Sequence, residues 1–100
     1  MNMQQLMMQA QKMKRELEKA KAALAEQEFK VSKAGLVTVT VLGNRQVKSI
    51  EIEDDGFEKD NKDMIQDMIA AAINEAVEKV NEAEEEINER ITGQPGGMGF

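Results

Sequence analysis

The sequence of 100 residues contains no cysteine, no histidine, no tryptophan and no tyrosine. Without cysteine there is no disulfide framework, no thiolate nucleophile and no cysteine-containing zinc site. Without histidine the chain lacks the side chain that most often acts as a general base near neutral pH. The only serines, Ser32 and Ser49, therefore have no histidine to activate them. We expect a protein that is not an enzyme and needs no cofactor.

Long apolar runs and metal-binding patterns are missing as well. The longest apolar run, residues 68–73, is far shorter than the ~18 to 20 residues of a membrane span. The N-terminus lacks the basic and apolar regions of a signal peptide, so we expect a soluble, cytoplasmic protein with no membrane partner. Residues 51–56 resemble the start of a calcium-binding EF-hand loop, but Lys62 occupies the position of the bidentate glutamate. We therefore expect no metal site.

Charge is divided unevenly along the chain. The formal net charge is −6, yet residues 1–50 carry more basic than acidic side chains, and residues 51–100 carry a large acidic excess. Association with a polyanion responds to the local field within a Debye length of about 8 Å. The acidic total therefore does not exclude nucleic acid as a partner.

A heptad stripe without glycine or proline occupies the first 28 residues. Its apolar members recur at alternating steps of three and four residues: Met3, Leu6, Ala10, Met13, Leu17, Ala20 and Leu24. This spacing predicts a long amphipathic helix. The stripe either packs only against the rest of its own domain or also contacts a second chain.

Alternation with period two replaces the helical pattern after Phe29. Val37, Val39 and Val41 alternate with Thr38, Thr40 and Leu42, and a Gly43-Asn44 turn leads to Val47, Ile50 and Ile52. This pattern predicts a β-hairpin, with residues 29–32 as a weaker third strand before Ala34-Gly35. We expect a small antiparallel sheet with one face covered by helix.

A second long helix is expected after the acidic loop 53–60. Asp60 or Asn61 is the candidate N-cap, apolar residues recur every eleven positions at Ile65, Ala76 and Ile87, and Thr92-Gly93 is the expected stop. The prediction is an α+β fold of order α-β-β-β-α. A single domain covers residues 1–93, and residues 94–100, rich in glycine, form a flexible tail.

The lengths of these elements favour a homodimer. Helices of about 26 and 30 residues are roughly 40 and 45 Å long, whereas strands of this size span about 17 to 24 Å. Because the sheet cannot cover both helices, apolar surface on the first helix stays exposed unless a second copy covers it.

Two charged stripes are the candidate interaction surfaces. An acidic stripe on the last helix is either a solvated face or a face that repels nucleic acid and restricts where DNA approaches: Glu75, Glu78, Glu82, Glu85 and Glu89. Basic side chains on the first helix are either solvated or bind phosphates: Lys12, Lys14, Arg15, Lys19 and Lys21. With three phenylalanines as the only aromatic residues there is no base-stacking platform, which leaves duplex DNA as the favoured nucleic acid.

Three motifs in order resemble one known family. These motifs are similar to those of the YbaB/EbfC nucleoid-associated proteins. They are the N-terminal Met3-Gln4-x-Leu6-Met7-x-Gln9-Ala10-Gln11-x-Met13, the late Ala71-Ala72-x-Asn74-x-Ala76-x-x-Lys79 and the tail Thr92-Gly93-x-Pro95-Gly96 with Phe100. The pattern departs at Ala34-Gly35, where the family has a glycine-rich turn, and at residues 54–56, where it commonly has a proline.

The resemblance implies a cytoplasmic bacterial homodimer shaped like tweezers, with central sheets and projecting helices, that binds duplex DNA with little or modest sequence preference. By position and charge, the five basic residues of the first helix would inherit the DNA contacts. The alternative is a dimeric protein-interaction module whose methionine-rich helix ends dock a DNA-processing protein. Asn74, beside Ile73 and Ala76, is the polar residue of the last helix most worth testing for burial.

Overall fold

The chain folds into two long helices and a three-stranded antiparallel sheet, in a computed structural model that describes residues 2–93. The elements are α1 (Met3–Glu26), β1 (Glu28–Lys33), β2 (Val37–Leu42), β3 (Val47–Ile52) and α2 (Lys62–Thr92), with short 3-10 turns at Asp54–Phe57 and Lys59–Asn61. The predicted order and the α+β class are confirmed. The tail predicted at residues 94–100 lies outside the described residues.

The sheet has the strand order β1-β2-β3, and β2 is its central strand. Val39 lies opposite Val31 of β1 and opposite Ile50 of β3, so these three side chains share the face on which α2 packs. Val37, Val39 and Val41 are buried there, as their alternation predicts. Thr40 points to the other face and is also buried, because it stands between Lys30 and Ser49 on the two flanking strands.

A register shift interrupts the pairing of β2 with β3. Thr40 pairs with Ser49 and Val41 pairs with Val47, which leaves Lys48 as the extra residue of a bulge. The bulge brings Val47 onto the same face as Ile50, although the two are three positions apart. Helix α2 lies over β1 and β2, so both side chains on edge strand β3 remain exposed.

Helix α1 is buried only along its C-terminal half. Its N-terminus carries a capping box, in which Asn2 Oδ1 accepts a hydrogen bond from the Gln5 backbone N–H at 2.8 Å and the Gln5 side chain accepts one from the Asn2 N–H. Leu17 and Leu24 are the buried residues of this helix, and they pack with Ile87 in a small cluster. This cluster is separate from the main core between α2 and the sheet.

Helix α2 contributes residues to both clusters because its apolar stripe runs nearly straight along the helix. Ile65, Ala76 and Ile87 are all buried, as the eleven-residue repeat predicts. Asn61 takes the N-cap position, but its side chain donates to the Asp55 carbonyl at 2.9 Å rather than capping the helix. Gly93 ends the helix with a φ of 73°, a left-handed conformation that glycine adopts without a steric penalty.

Candidate nucleic-acid interface

Helix α1 runs antiparallel to the last turns of α2 and then continues beyond them. Ala20 and Leu24 of α1 line a groove with Ala83 and Ile87 of α2. Earlier in α1, Lys19 lines a second groove with residues 90–91, which come later in α2. Residues 2–15 therefore project past the end of α2, and we call them the helix tip. The tip has a length of about 21 Å at 1.5 Å per residue.

The dimensions of the molecule agree with this arrangement. The described chain measures 69 × 19 × 15 Å. Helix α2, with 31 residues, accounts for about 46 Å of the long axis. The helix tip supplies most of the remainder, and residues 2–12 are all exposed.

All five basic residues predicted to contact DNA are exposed in the structure: Lys12, Lys14, Arg15, Lys19 and Lys21. Among residues 2–93, none of these five side chains forms an ion pair or a hydrogen bond. Within the described part of the chain, these five charges therefore have no ion-pair partner.

Three of these five cations share one face of α1. At about 100° per residue, Lys12, Arg15 and Lys19 fall within roughly 60° of one another and nearly opposite Leu17 and Leu24, which contact α2. We call these three residues the basic face. Lys14 and Lys21, by contrast, lie beside the apolar stripe, so the structure does not bring all five together.

The helix tip also lacks acidic residues to cancel its field. No aspartate or glutamate occurs among residues 2–15, and the first acidic side chain along α1 is Glu16. Because the surface field is set by charges within about a Debye length, the positive potential at the tip persists despite the net charge of −6.

Part of the acidic surface of α2 pairs with cations at the sheet turns. Glu75 forms an ion pair with Lys33 at 2.5 Å, and a hydrogen bond from Lys33 holds the pKa of Glu75 below its ordinary value of 4.5. Glu84 accepts a hydrogen bond from Arg45 at 3.1 Å, and Arg45 also donates to Asn81. These glutamates therefore attach α2 to both hairpin turns, a role that the sequence pattern does not show.

Arg90 is a basic residue near the interface that the sequence reasoning missed. It is exposed in the last turn of α2 and lines a groove with Glu16, Lys19 and Ala20 of α1. Its signal in the sequence is weak, because it becomes a neighbour of Lys19 only through the antiparallel pairing of the two helices. Arg90 extends the positive surface at the junction of the two helices.

The asparagine that merits attention is not the expected one. Asn74 is exposed, so it needs no buried partner. Asn88, one residue after the buried Ile87, is only 3% exposed, and its Oδ1 accepts no hydrogen bond within residues 2–93. Asn88 lines a groove with Arg45 of the turn between β2 and β3, a proximity that the repeat in α2 alone does not reveal.

Exposed apolar side chains occur in two regions, one on and after edge strand β3 and the other on the helix tip. The sheet-end surface consists of Val47, Ile50, Phe57 and Met64, exposed by 43, 43, 74 and 41% respectively. The other surface is on the helix tip, where Met3, Leu6, Met7 and Met8 are at least half exposed. Within residues 2–93 neither helix combines the length and the apolar character needed to cross a membrane.

The fold and the basic face define a small α+β protein suited to a polyanionic partner. The model of the YbaB/EbfC DNA-binding family matches residues 1–95, and the chain belongs to this family. It is 41% identical to a nucleoid-associated protein of Alkaliphilus metalliredigens, over 92% of this chain and 82% of that protein. It is also 39% identical to a nucleoid-associated protein of Enterococcus faecalis, over 95% of this chain and 93% of that protein. The family resemblance inferred from the three motifs is confirmed.

Proposed function

We propose that this chain is a nucleoid-associated protein of the cytoplasm that binds duplex DNA as a homodimer, mainly through phosphate contacts from the basic residues of α1. The observation that carries the proposal is the basic face: Lys12, Arg15 and Lys19 are exposed, unpaired within the described residues and turned away from α2. The proposed role is binding rather than catalysis.

The spacing of the basic face suits a phosphate backbone. Lys12 and Lys19 are separated by seven residues, or about 10 Å along the helix axis. Duplex DNA carries one phosphate charge per ~1.7 Å of its axis, so a face of this length lies against several phosphates. Phosphates carry no base identity, which accounts for a low or modest sequence preference.

The aromatic residues support a duplex rather than a single strand as the partner. Phe29 packs against both core clusters, and Phe57 belongs to the sheet-end surface, far from the helix tip. Proteins that bind single strands stack bases on exposed aromatic rings beside a basic groove. The basic face has no such ring among the described residues.

The sheet-end surface supports the homodimer. Strand β3 is an edge of the sheet, and Val47 and Ile50 extend the core face beyond the area that α2 covers. An exposed apolar face beside an open strand edge is a site for association with a second copy. Covering it with a second copy would place the two sheets centrally and leave both helix tips projecting.

Sedimentation of the purified chain tests the homodimer. The expected mass is about twice 11.2 kDa at micromolar concentration. Ile50→Asp places a carboxylate in the proposed interface and is expected to give monomers, because burying an unpaired charge is unfavourable. Lys30→Asp, on the opposite edge strand, is the matched control and should remain dimeric. A wild-type chain that stays monomeric at all concentrations would contradict the tweezer-like dimer.

Charge reversal on the basic face tests DNA binding. The variant Lys12→Glu/Arg15→Glu/Lys19→Glu should lose affinity for duplexes of different sequence to the same extent. The charge-matched control reverses Lys30, Lys59 and Lys79, which are exposed outside α1, and should retain most of the affinity. For the wild-type dimer, log K should fall with log salt with a slope of roughly −4 to −8, at about −0.9 per phosphate neutralised.

The second candidate function is a protein-interaction module that docks a DNA-processing protein. The exposed methionines of the helix tip favour it, since flexible thioether side chains adapt to varied apolar partners. If the triple variant remains folded and dimeric yet binds DNA with unchanged affinity and salt slope, the DNA proposal fails and this candidate takes precedence.

A further inference from the structure

We infer that the helix tip enters the major groove of duplex DNA and that the side-chain amide of Gln9 recognises adenine there. This inference rests on the proposed binding of duplex DNA and adds a contact that distinguishes one base sequence from another. Contacts to phosphates position a protein on DNA, whereas hydrogen bonds to base edges carry sequence preference. The basic face supplies the first kind of contact, and Gln9 supplies the second.

The shape of the helix tip suits the major groove. Within the described chain, residues 3–12 are helical and all of them are exposed. An α-helix with its side chains has a diameter of about 10–12 Å, which matches the ~12 Å width of the major groove. The minor groove is only about 6 Å wide and does not admit a helix. The tip therefore reaches base edges from the major groove, where each base pair presents a distinct pattern of donors and acceptors.

The tip is rich in glutamine and carries no charged side chain before Lys12. Four of the eight glutamines of the chain lie in this uncharged segment: Gln4, Gln5, Gln9 and Gln11. A side-chain amide offers both a donor and an acceptor, so it matches the N7 acceptor and the N6 donor that adenine presents in the major groove. Along α1, amides that suit base edges are therefore followed by cations that suit phosphates.

Gln9 is the glutamine best placed for a contact with a base. It lines one groove on the surface of the tip together with Lys12 and Arg15 of the basic face. Around the helix axis Gln9 lies about 60° from Lys12, and along the axis it is about 4.5 Å nearer to the end of the tip. When Lys12 contacts a phosphate at the rim of the DNA groove, Gln9 therefore lies deeper in it. Its amide forms no hydrogen bond within residues 2–93 and is available to a base.

The other three glutamines of the tip are less suited to this contact. The Gln5 Oε1 accepts a hydrogen bond from the Asn2 N–H at 3.3 Å in the capping box, so this amide is not free to form two bonds with adenine. Gln4 does not line the groove that contains Lys12 and Arg15. Gln11 lines that groove but directly precedes Lys12, so it stays at the level of the phosphates.

Duplexes that differ only in their bases test the inference. One duplex has adenine-thymine pairs at its centre, and the other has the same length but only guanine-cytosine pairs. In fluorescence anisotropy at low salt, the wild-type chain should bind the first duplex about 10-fold more tightly, because a two-bond contact with adenine discriminates by at least roughly this factor. Replacement of the central adenines by 7-deazaadenine, which pairs normally but lacks N7, should remove most of this preference.

Gln9→Ala tests the residue itself. Gln9 is exposed and alanine is a good helix former, so the variant should fold. Its affinity for the adenine duplex should fall about 10-fold, and it should not respond to 7-deazaadenine. The slope of log K against log salt should stay unchanged, because the same phosphates are neutralised. Gln66→Ala is the matched control: it makes the same change at an exposed position of α2 and should keep the preference.

The outcomes separate this inference from the proposed function. If the wild-type chain binds neither duplex at low salt, both fail. If it binds the two duplexes equally, or if Gln9→Ala keeps the preference and its response to 7-deazaadenine, DNA binding stands and recognition by Gln9 is overturned. An equal loss of affinity of Gln9→Ala for both duplexes would also overturn it, because a base contact must distinguish sequences.

Discussion

Gly43, in the turn between β2 and β3, packs so closely against the end of α1 that no side chain fits at this position. A Cβ atom added at this glycine would lie 1.7 Å from the backbone oxygen of Leu24 and 3.1 Å from the Leu24 Cγ, whereas ordinary contact begins at 3.4 Å. The Gly43 N–H donates to the Gln27 carbonyl at 2.9 Å, and the Gln27 N–H donates to the Leu24 carbonyl at the same distance. We expect Gly43→Ala to force these segments apart.

The magnitude follows from the contacts that would have to change. Overpacking of a buried site costs ~1–3 kcal/mol, and each of the two hydrogen bonds contributes about 1 kcal/mol. Partial relaxation gives an expected loss of about 3 kcal/mol in the free energy of unfolding, which for a domain of this size is a fall in Tm of roughly 12–24 °C.

Urea denaturation followed by circular dichroism measures this loss, at one fixed protein concentration because self-association adds to stability. Gly35→Ala is the matched control. Gly35 has a φ of 68° and no atom within 4 Å of the added Cβ, so its substitution costs only the left-handed conformation, ~1 kcal/mol. If Gly43→Ala were no more destabilising than Gly35→Ala, the close packing of the turn against α1 would be refuted.

Three further predictions concern α2. Asn74→Ala should change the free energy of unfolding by less than ~0.5 kcal/mol, because Asn74 is exposed. Asn88→Leu should raise the free energy of unfolding by about 1 kcal/mol, because it removes a buried amide oxygen that has no partner in residues 2–93. A loss of stability of Asn88→Leu in chemical denaturation would contradict this. The lowered pKa of Glu75 means that its pair with Lys33 stabilises the fold above pH 4.5 and is lost as the pH falls through the folded-state pKa. Wild type should therefore exceed Glu75→Gln in stability at neutral pH at low salt, and the difference should vanish on acidification; a difference independent of pH would contradict the ion pair.

The elements of this fold are largely predictable because each has a local cause. The valines of β2 alternate with period two, the stripe of α2 repeats every eleven residues, and Gly93 supplies the left-handed residue that ends the helix. Even the bulge has a signal, since Val47 and Ile50 are three positions apart and can share a face only if one residue is extra. These features depend on residues that are close together in the sequence, so the residue pattern alone indicates them.

Features that depend on how elements pack were not predictable. The position of Asn88 beside Arg45 and the proximity of Arg90 to Lys19 require knowing which sides of α2 face the β2–β3 turn and α1. The pairing of Glu75 with Lys33 joins residues far apart in sequence, so the acidic stripe gave no indication of it. At the candidate interface, helical spacing in the sequence gives both the charges and the separation of the basic face from Lys14 and Lys21, and the contact of α1 with α2 adds that the basic face points away from α2.

Within residues 2–93, the helix tip is attached to the rest of the structure at one end only. Beyond the capping box at Asn2 and Gln5, its backbone is held by its own helical hydrogen bonds. A free helix of about 15 residues is marginally stable in water, so the tip opens with a free energy far below that of global unfolding. In the free protein its amide hydrogens therefore exchange with solvent much faster than those near Leu24. A partner that binds the helix tip must fix it in the helical conformation. Binding should therefore slow the amide exchange of residues 3–13 and leave the exchange elsewhere unchanged.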